Sequence, residues 1–114
     1  MAIDLKYDTL ANGVTVINLT GTMDALGAQA IDLRFSAISG SQTKIVVNLE
    51  NVDYLSSMGI RTIIMGAKVV QRNNGKMVIL KPSSDVEKVL TESGVDTLIP
   101  ILQEMDAAEA LLLG

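Results

Sequence analysis

The sequence contains no cysteine, no histidine and no tryptophan, and only two prolines in 114 residues. Without cysteine there is no disulfide, no thiol nucleophile and no thiolate metal site; without histidine there is no Ser-His-Asp triad and no imidazole ligand. A general base would have to be a carboxylate or a lysine of shifted pKa, and the sequence shows no constellation that would shift one. An enzyme is therefore not expected. Positive charge is scarce as well: nine Lys and Arg stand against thirteen Asp and Glu, a net charge of −4, so no basic field exists to attract a nucleic-acid backbone. Apolar runs are short. The longest, such as residues 63–67, fall far below the roughly 18 residues needed to cross a bilayer. The first ten residues alternate charged and apolar side chains, without the apolar run or cleavage pattern of a signal peptide. A soluble, cytoplasmic protein with no membrane insertion is expected.

What is present favours one packed domain over residues 1–114. Apolar side chains make up 48% of the chain and charged ones 19%, a balance that supports a core rather than disorder. The polar breaks at residues 39–43 and 73–76 have the length of turns, not of interdomain linkers. Residues 14–20 (VTVINLT) alternate and are β-branched, predicting a strand. A weaker strand over residues 3–7 precedes it, with Asn12-Gly13 as the hairpin turn. Asp24 fits a helix cap, Ile31, Phe35 and Ile38 mark the core face of the helix it opens, and Gly40 offers a stop. Residues 44–49 (KIVVNL) read as a strand buried on both faces, hence central and parallel.

The next helix is predicted over residues 57–72, with Ile60, Ile63, Ile64, Ala67 and Val70 inward and Arg61, Lys68 and Arg72 elsewhere. Asn73-Asn74-Gly75 ends it. Residues 76–80 (KMVIL) form another buried strand. Ser84 and Glu87 make a capping-box pattern for a helix that closes at Gly94, and a further helix begins near Glu104. Strands alternating with right-handed crossover helices give an α/β class, a mixed and mostly parallel sheet with an antiparallel N-terminal hairpin.

Neither a P-loop nor a dinucleotide fingerprint is present, and no cofactor is implied. The junction that draws notice is Asp53-Tyr54-Leu55-Ser56-Ser57-Met58-Gly59-Ile60, where a buried strand gives way to the most amphipathic helix, on the edge of the sheet that carries function in open α/β folds. Two readings are open. In one, Ser56 or Ser57 is an N-cap and Gly59 permits close packing. In the other, a serine is a phosphorylation switch. A phosphate at a helix N-terminus gains on the order of 1 kcal/mol from the free amides and the dipole, whereas burying its two charges unpaired in an interface costs several kcal/mol. Such a group would expel a partner and spare the fold. Met58, Arg61, Thr62 and Met65 recur at three- and four-residue spacings beside the core stripe, a second stripe that either fills core gaps or faces a partner. For Met23, Met77 and Met105 the core reading is preferred.

At these residues the sequence resembles the STAS domain family, specifically its small stand-alone anti-sigma factor antagonists. Leu19-Thr20-Gly21-Thr22-Met23-Asp24 is similar to the family's L-x-G-x-x-D motif. Val47-Asn48-Leu49 with residues 54–60 is similar to its central strand and phosphoserine loop, and residues 74–78 and 89–94 to its later strand and helix end. The resemblance implies about four helices packed mainly on one face of the sheet. It implies a protein that binds an anti-sigma factor, usually also an ATP-dependent serine kinase, and is restored by a metal-dependent serine phosphatase. By position the phosphorylated residue is Ser57, with Ser56 the second choice. The expected partner surface takes in Asp24, which matches the motif's aspartate, Ser56 and Gly59 of the serine loop, and the stripe of Met58, Arg61, Thr62 and Met65 read from the helical spacing. The sequence departs from the commoner pattern in having Ser56 where an aspartate often stands, Met58 where a small residue is usual and Arg61 where a second glycine often sits. The alternative is a constitutive STAS adaptor in a lipid-transport or sensor complex, without phosphorylation.

Overall fold

Apolar and polar residues alternate where one face of a strand is buried and run together where both are, and this distinction orders the sheet. In the computed structural model, which describes residues 2–114, five strands lie in the order β1 (Ile3–Thr9), β2 (Thr15–Met23), β3 (Lys44–Leu55), β4 (Lys76–Leu80) and β5 (Ile101–Leu102). The β1–β2 pair is antiparallel and every later pairing is parallel. Helices α1 (Ala25–Ser41), α2 (Ser57–Arg72) and α3 (Ser84–Glu92), a short 3₁₀ turn at Val95–Thr97 and α4 (Met105–Leu113) complete the chain.

In β3, Ile45, Val46 and Val47 are all fully buried. Ile45 and Val47 join Ile17, Phe35, Ile63, Val70 and Leu90 in the larger core under α1, α2 and α3. Val46 faces the other way, toward Val14, Val78 and the α4 residues Ala108 and Leu112. Three helices thus cover one face and one the other, which is what a strand without a polar side requires. Each fully buried Val, Leu, Ile, Phe or Met contributes roughly 1.5–3 kcal/mol of transfer free energy. The expected core faces hold: Ile31, Phe35 and Ile38 are buried, as are Met23 and Met77, while Arg61, Lys68 and Arg72 are exposed.

Several expected boundaries are corrected. The hairpin is not closed by a two-residue Asn12-Gly13 turn. A wider loop closes it, in which Leu10 N–H donates to Val14 O at 2.8 Å and Asn12 Oδ1 accepts from Val14 N–H at 3.1 Å. Helix α1 runs through Gly40 to Ser41, because the backbone still bonds in helical fashion there and Gln42 N–H closes on Ile38 O at 3.0 Å. Ile60 and Ile64 are half-buried at the margin of the core. The cap of α3 is Ser83, whose Oγ accepts from Val86 N–H at 3.3 Å, one residue before the expected Ser84. Glu87 does not close a box, since its carboxylate accepts from Gln103 Nε2 instead. Gly94, at φ 79°, follows α3 as foreseen.

The largest departure bears on function. Strand β2 continues through Gly21 to Met23, and β3 continues past Leu49 to Leu55. Strand β4 pairs only as far as Asn48↔Leu80, so the outer half of β3 is held by β2 alone, through Thr20↔Asn51 to Met23↔Leu55 with two register shifts. Val52 and Leu55 are buried along it. Gly21 sits at φ +117° with no room for a Cβ beside the Ala2 carbonyl, a backbone that L side chains rarely adopt. The result is a β2–β3 ribbon that runs past the end of β4, flanked by β1 as far as Ile3↔Gly21.

Candidate functional site

Both strands of that ribbon end in helices. Ser56 N–H donates to Met23 O at 2.9 Å, so the corner at residues 23–24 adjoins the corner at residues 56–57. Asp24 caps α1, its Oδ1 accepting from Gly27 N–H at 2.7 Å. Ser56 caps α2, its Oγ accepting from Gly59 N–H at 3.2 Å. The positive ends of two helix dipoles therefore open side by side at the C-terminal edge of the parallel strands.

The two serines divide the work. Ser56 is half-buried and its oxygen satisfies an amide of the first turn, whereas Ser57 is the first residue of α2, is exposed, and takes no part in the cap. Gly59 lets the helix start close to the ribbon: a Cβ there would stand 2.5 Å from Met23 Cγ and 2.8 Å from Leu55 Cδ1. Further along, Gly66 lets α2 cross α1 closely, since a Cβ would stand 2.5 Å from Phe35 Cε2 and 2.8 Å from Ser39 Oγ.

Between the two helices lies an open groove of about 650 Å³. Met58, Arg61, Thr62 and Met65 line its α2 wall, and Leu26, Asp32 and Phe35 line its α1 wall. Met58 and Met65 are 48% and 50% exposed. Of the two readings of that stripe, gap filling does not describe them. Thr62 is buried, with Oγ1 donating to Met58 O at 3.1 Å, and Gly59 is buried as well; these two shape the wall rather than protrude from it. Asp24 adjoins the serines through the Met23–Ser56 bond, its side chain engaged in its own cap.

Sequence reasoning missed the α1 wall. Leu26, on that wall, is 76% exposed, and Leu33, outside the groove lining, 83%. They lie seven residues apart and out of phase with Ile31, Phe35 and Ile38, and that phase difference was the available signal. Asp32, on the same wall, carried none.

Residues 9–108 match the family model for the STAS domain. The chain belongs to the STAS domain family. An anti-sigma F factor antagonist of Lysinibacillus sphaericus is 29% identical to this STAS chain over 106 residues, covering 91% of the chain and 86% of the relative. In fold, an anti-sigma factor antagonist of Mycobacterium paratuberculosis superposes with a TM-score of 0.89 at 19% identity, covering 99% and 96% of the two chains. The anti-sigma factor antagonist SpoIIAA superposes in its unphosphorylated form with a TM-score of 0.79 at 23% identity, covering 95% and 96%. The Bacillus cell fate determinant SpoIIAA in its phosphorylated form gives 0.72 at 22%, covering 95% and 99%. Among the described residues of this STAS domain, no helix is long and apolar enough to cross a membrane.

Proposed function

We propose that this STAS domain is an anti-sigma factor antagonist switched by phosphorylation at Ser57. Unphosphorylated, it binds an anti-sigma factor that is also a serine kinase, and the sigma factor held by that partner goes free. The observation that carries the reading is the exposed Ser57 hydroxyl at the first turn of α2, next to a half-exposed apolar groove, with the capping role already taken by Ser56. Relatives named as anti-sigma factor antagonists, one of them with a phosphorylated form, support it.

In the reaction, Ser57 Oγ attacks the γ-phosphorus of ATP, the bond from that phosphorus to the bridging oxygen of ADP breaks, and a base on the kinase takes the hydroxyl proton. A metal-dependent phosphatase reverses the state by hydrolysing the ester with water. The new group carries about −1.5 to −2 charges. At a helix N-terminus the fold tolerates it, and under a docked partner it costs several kcal/mol. At about 1.4 kcal/mol per decade, that weakens the complex a hundredfold or more. The partner's footprint takes in Asp24, Ser56, Met58 and Arg61 at the corner and Met65 farther along, with Gly59 and Thr62 shaping the surface beneath.

The test is incubation with the cognate serine kinase and Mg-ATP, followed by intact mass and peptide mapping. A gain of one phosphoryl group at Ser57, loss of complex with Ser57→Asp and its retention with Ser57→Ala are expected. Unmodified protein, with both variants binding equally, would replace this reading with that of a constitutive adaptor.

A further inference from the structure

We propose that Arg61 couples the charge on Ser57 to the groove between α1 and α2: with phosphate on Ser57, the Arg61 guanidinium swings from the groove wall onto the phosphate oxygens and the groove loses its cation. This rests on Ser57 as the modified serine. Ser57 and Arg61 stand four residues apart on α2, a spacing that makes side chains neighbours on one helix face, with Cβ atoms about 5–6 Å apart. The anion lies N-terminal to the cation, the favourable order. A guanidinium also matches phosphate geometry with two parallel hydrogen bonds, which an ammonium does not.

The groove supplies the second half of the argument. Among the residues that line it, Arg61 is the one cation and Asp32, on the α1 wall, the one anion. Phosphate outcompetes Asp32 for the guanidinium because it carries up to twice the charge and sits on the same helix. The other cations of α2, Lys68 and Arg72, lie about 16 Å or more down the helix axis from Ser57. Arg34 on α1 is engaged with the Leu5 carbonyl at 3.2 Å. The neighbouring acids at the corner already have partners: Asp24 accepts from Gly27 N–H and Asp53 from Thr22 Oγ1 at 2.9 Å. Tyr54, which precedes the corner, is exposed. Removing Arg61 from the wall leaves Asp32 facing Leu26, Met58 and Met65 alone, so a partner that offers a carboxylate to the groove loses its mate. One modification thereby acts twice, through its own charge at the corner and through the withdrawn cation beside it.

The experiment uses the full chain with phosphoserine installed at position 57 by an expanded genetic code, so no kinase is needed and the outcome is separate from whether a kinase modifies the protein. The second phosphate pKa, ordinarily about 6, is read by ³¹P NMR titration. It is expected to rise by about 0.2–0.4 unit in Arg61→Gln relative to the unsubstituted protein, to stay close to the unsubstituted value in Arg61→Lys, and to be unchanged in Lys68→Gln. In parallel, the Met65 methyl resonance, two helical turns from the phosphate, shifts on phosphorylation in the unsubstituted protein and not in Arg61→Gln. Identical phosphate pKa values with and without Arg61, or a Met65 response that survives its removal, would overturn the proposal.

Discussion

Adjacent serines at the head of α2 carry different loads, and thermal melts separate them. Ser56 Oγ accepts from Gly59 N–H at 3.2 Å, one of the four amides that a helix start leaves without an intrahelical partner. Replacing such a cap with alanine costs about 1 kcal/mol, and in a domain of this size that lowers Tm by about 4–6 °C. Ser57 is exposed and outside the cap, so Ser57→Ala changes stability by no more than about 0.5 kcal/mol. Ser56→Asp keeps a good capping oxygen and remains near the parent Tm. Ser57→Asp gains about 0.5 kcal/mol from the dipole and melts no lower than the parent. Calorimetric or circular-dichroism melts of the four variants, with the Ser56→Ala/Ser57→Ala double variant matching Ser56→Ala alone, test the division. A Ser57→Ala protein that loses as much as Ser56→Ala would refute it, because the second hydroxyl would then be holding the helix and would not be free for a kinase.

Asp24→Ala removes the cap on α1 and should cost about 1 kcal/mol in chemical denaturation, while Asp24→Asn keeps most of it. Phe35→Ala empties a fully buried site beneath both helices and should cost about 3–5 kcal/mol, read as a lower denaturant midpoint at unchanged slope. Gly75→Ala would push a Cβ into the Thr43 backbone, whose carbonyl is fixed by the 2.8 Å bond from Lys76 N–H. A loss of about 1–3 kcal/mol is expected, and a neutral melt would show that this turn yields more readily than its contacts imply.

Much of the architecture was legible where local pattern and tertiary context agree. The three β-branched residues at 45–47 need cover on both faces, and the 3–4 spacing of Ile31, Phe35 and Ile38 admits one helix face only. The outer half of β3 was not legible: Glu50, Asn51 and Asp53 have the composition of a turn, and what keeps them extended is pairing with β2 some thirty residues away together with burial of Val52 and Leu55. The two residues of β5 are too few to show a period. At α3 the local signal was one residue out because Ser83 and Ser84 are chemically alike, and only the bond to Val86 N–H distinguishes them. For the site, the hydroxyl pair and the α2 stripe were readable from the sequence. The α1 wall was not, because Phe35 on it was assigned to the core and Leu26 and Asp32 fall outside that stripe.

The two glycines of α2 set how news of a modification travels. With Gly59 seated on Met23 and Leu55, and Gly66 on Phe35 and Ser39, the rod is keyed to its neighbours at two points less than two turns apart, where a rigid shift would disturb close packing. A phosphate placed at its tip would therefore act through side chains at the surface rather than through a shift of the helix in the body of the molecule. Whatever reads such a mark must touch the phosphate or the side chains it draws toward itself, so the domain would behave as a stiff signboard whose message is chemical, and core substitutions should alter how long the board stands rather than what it says.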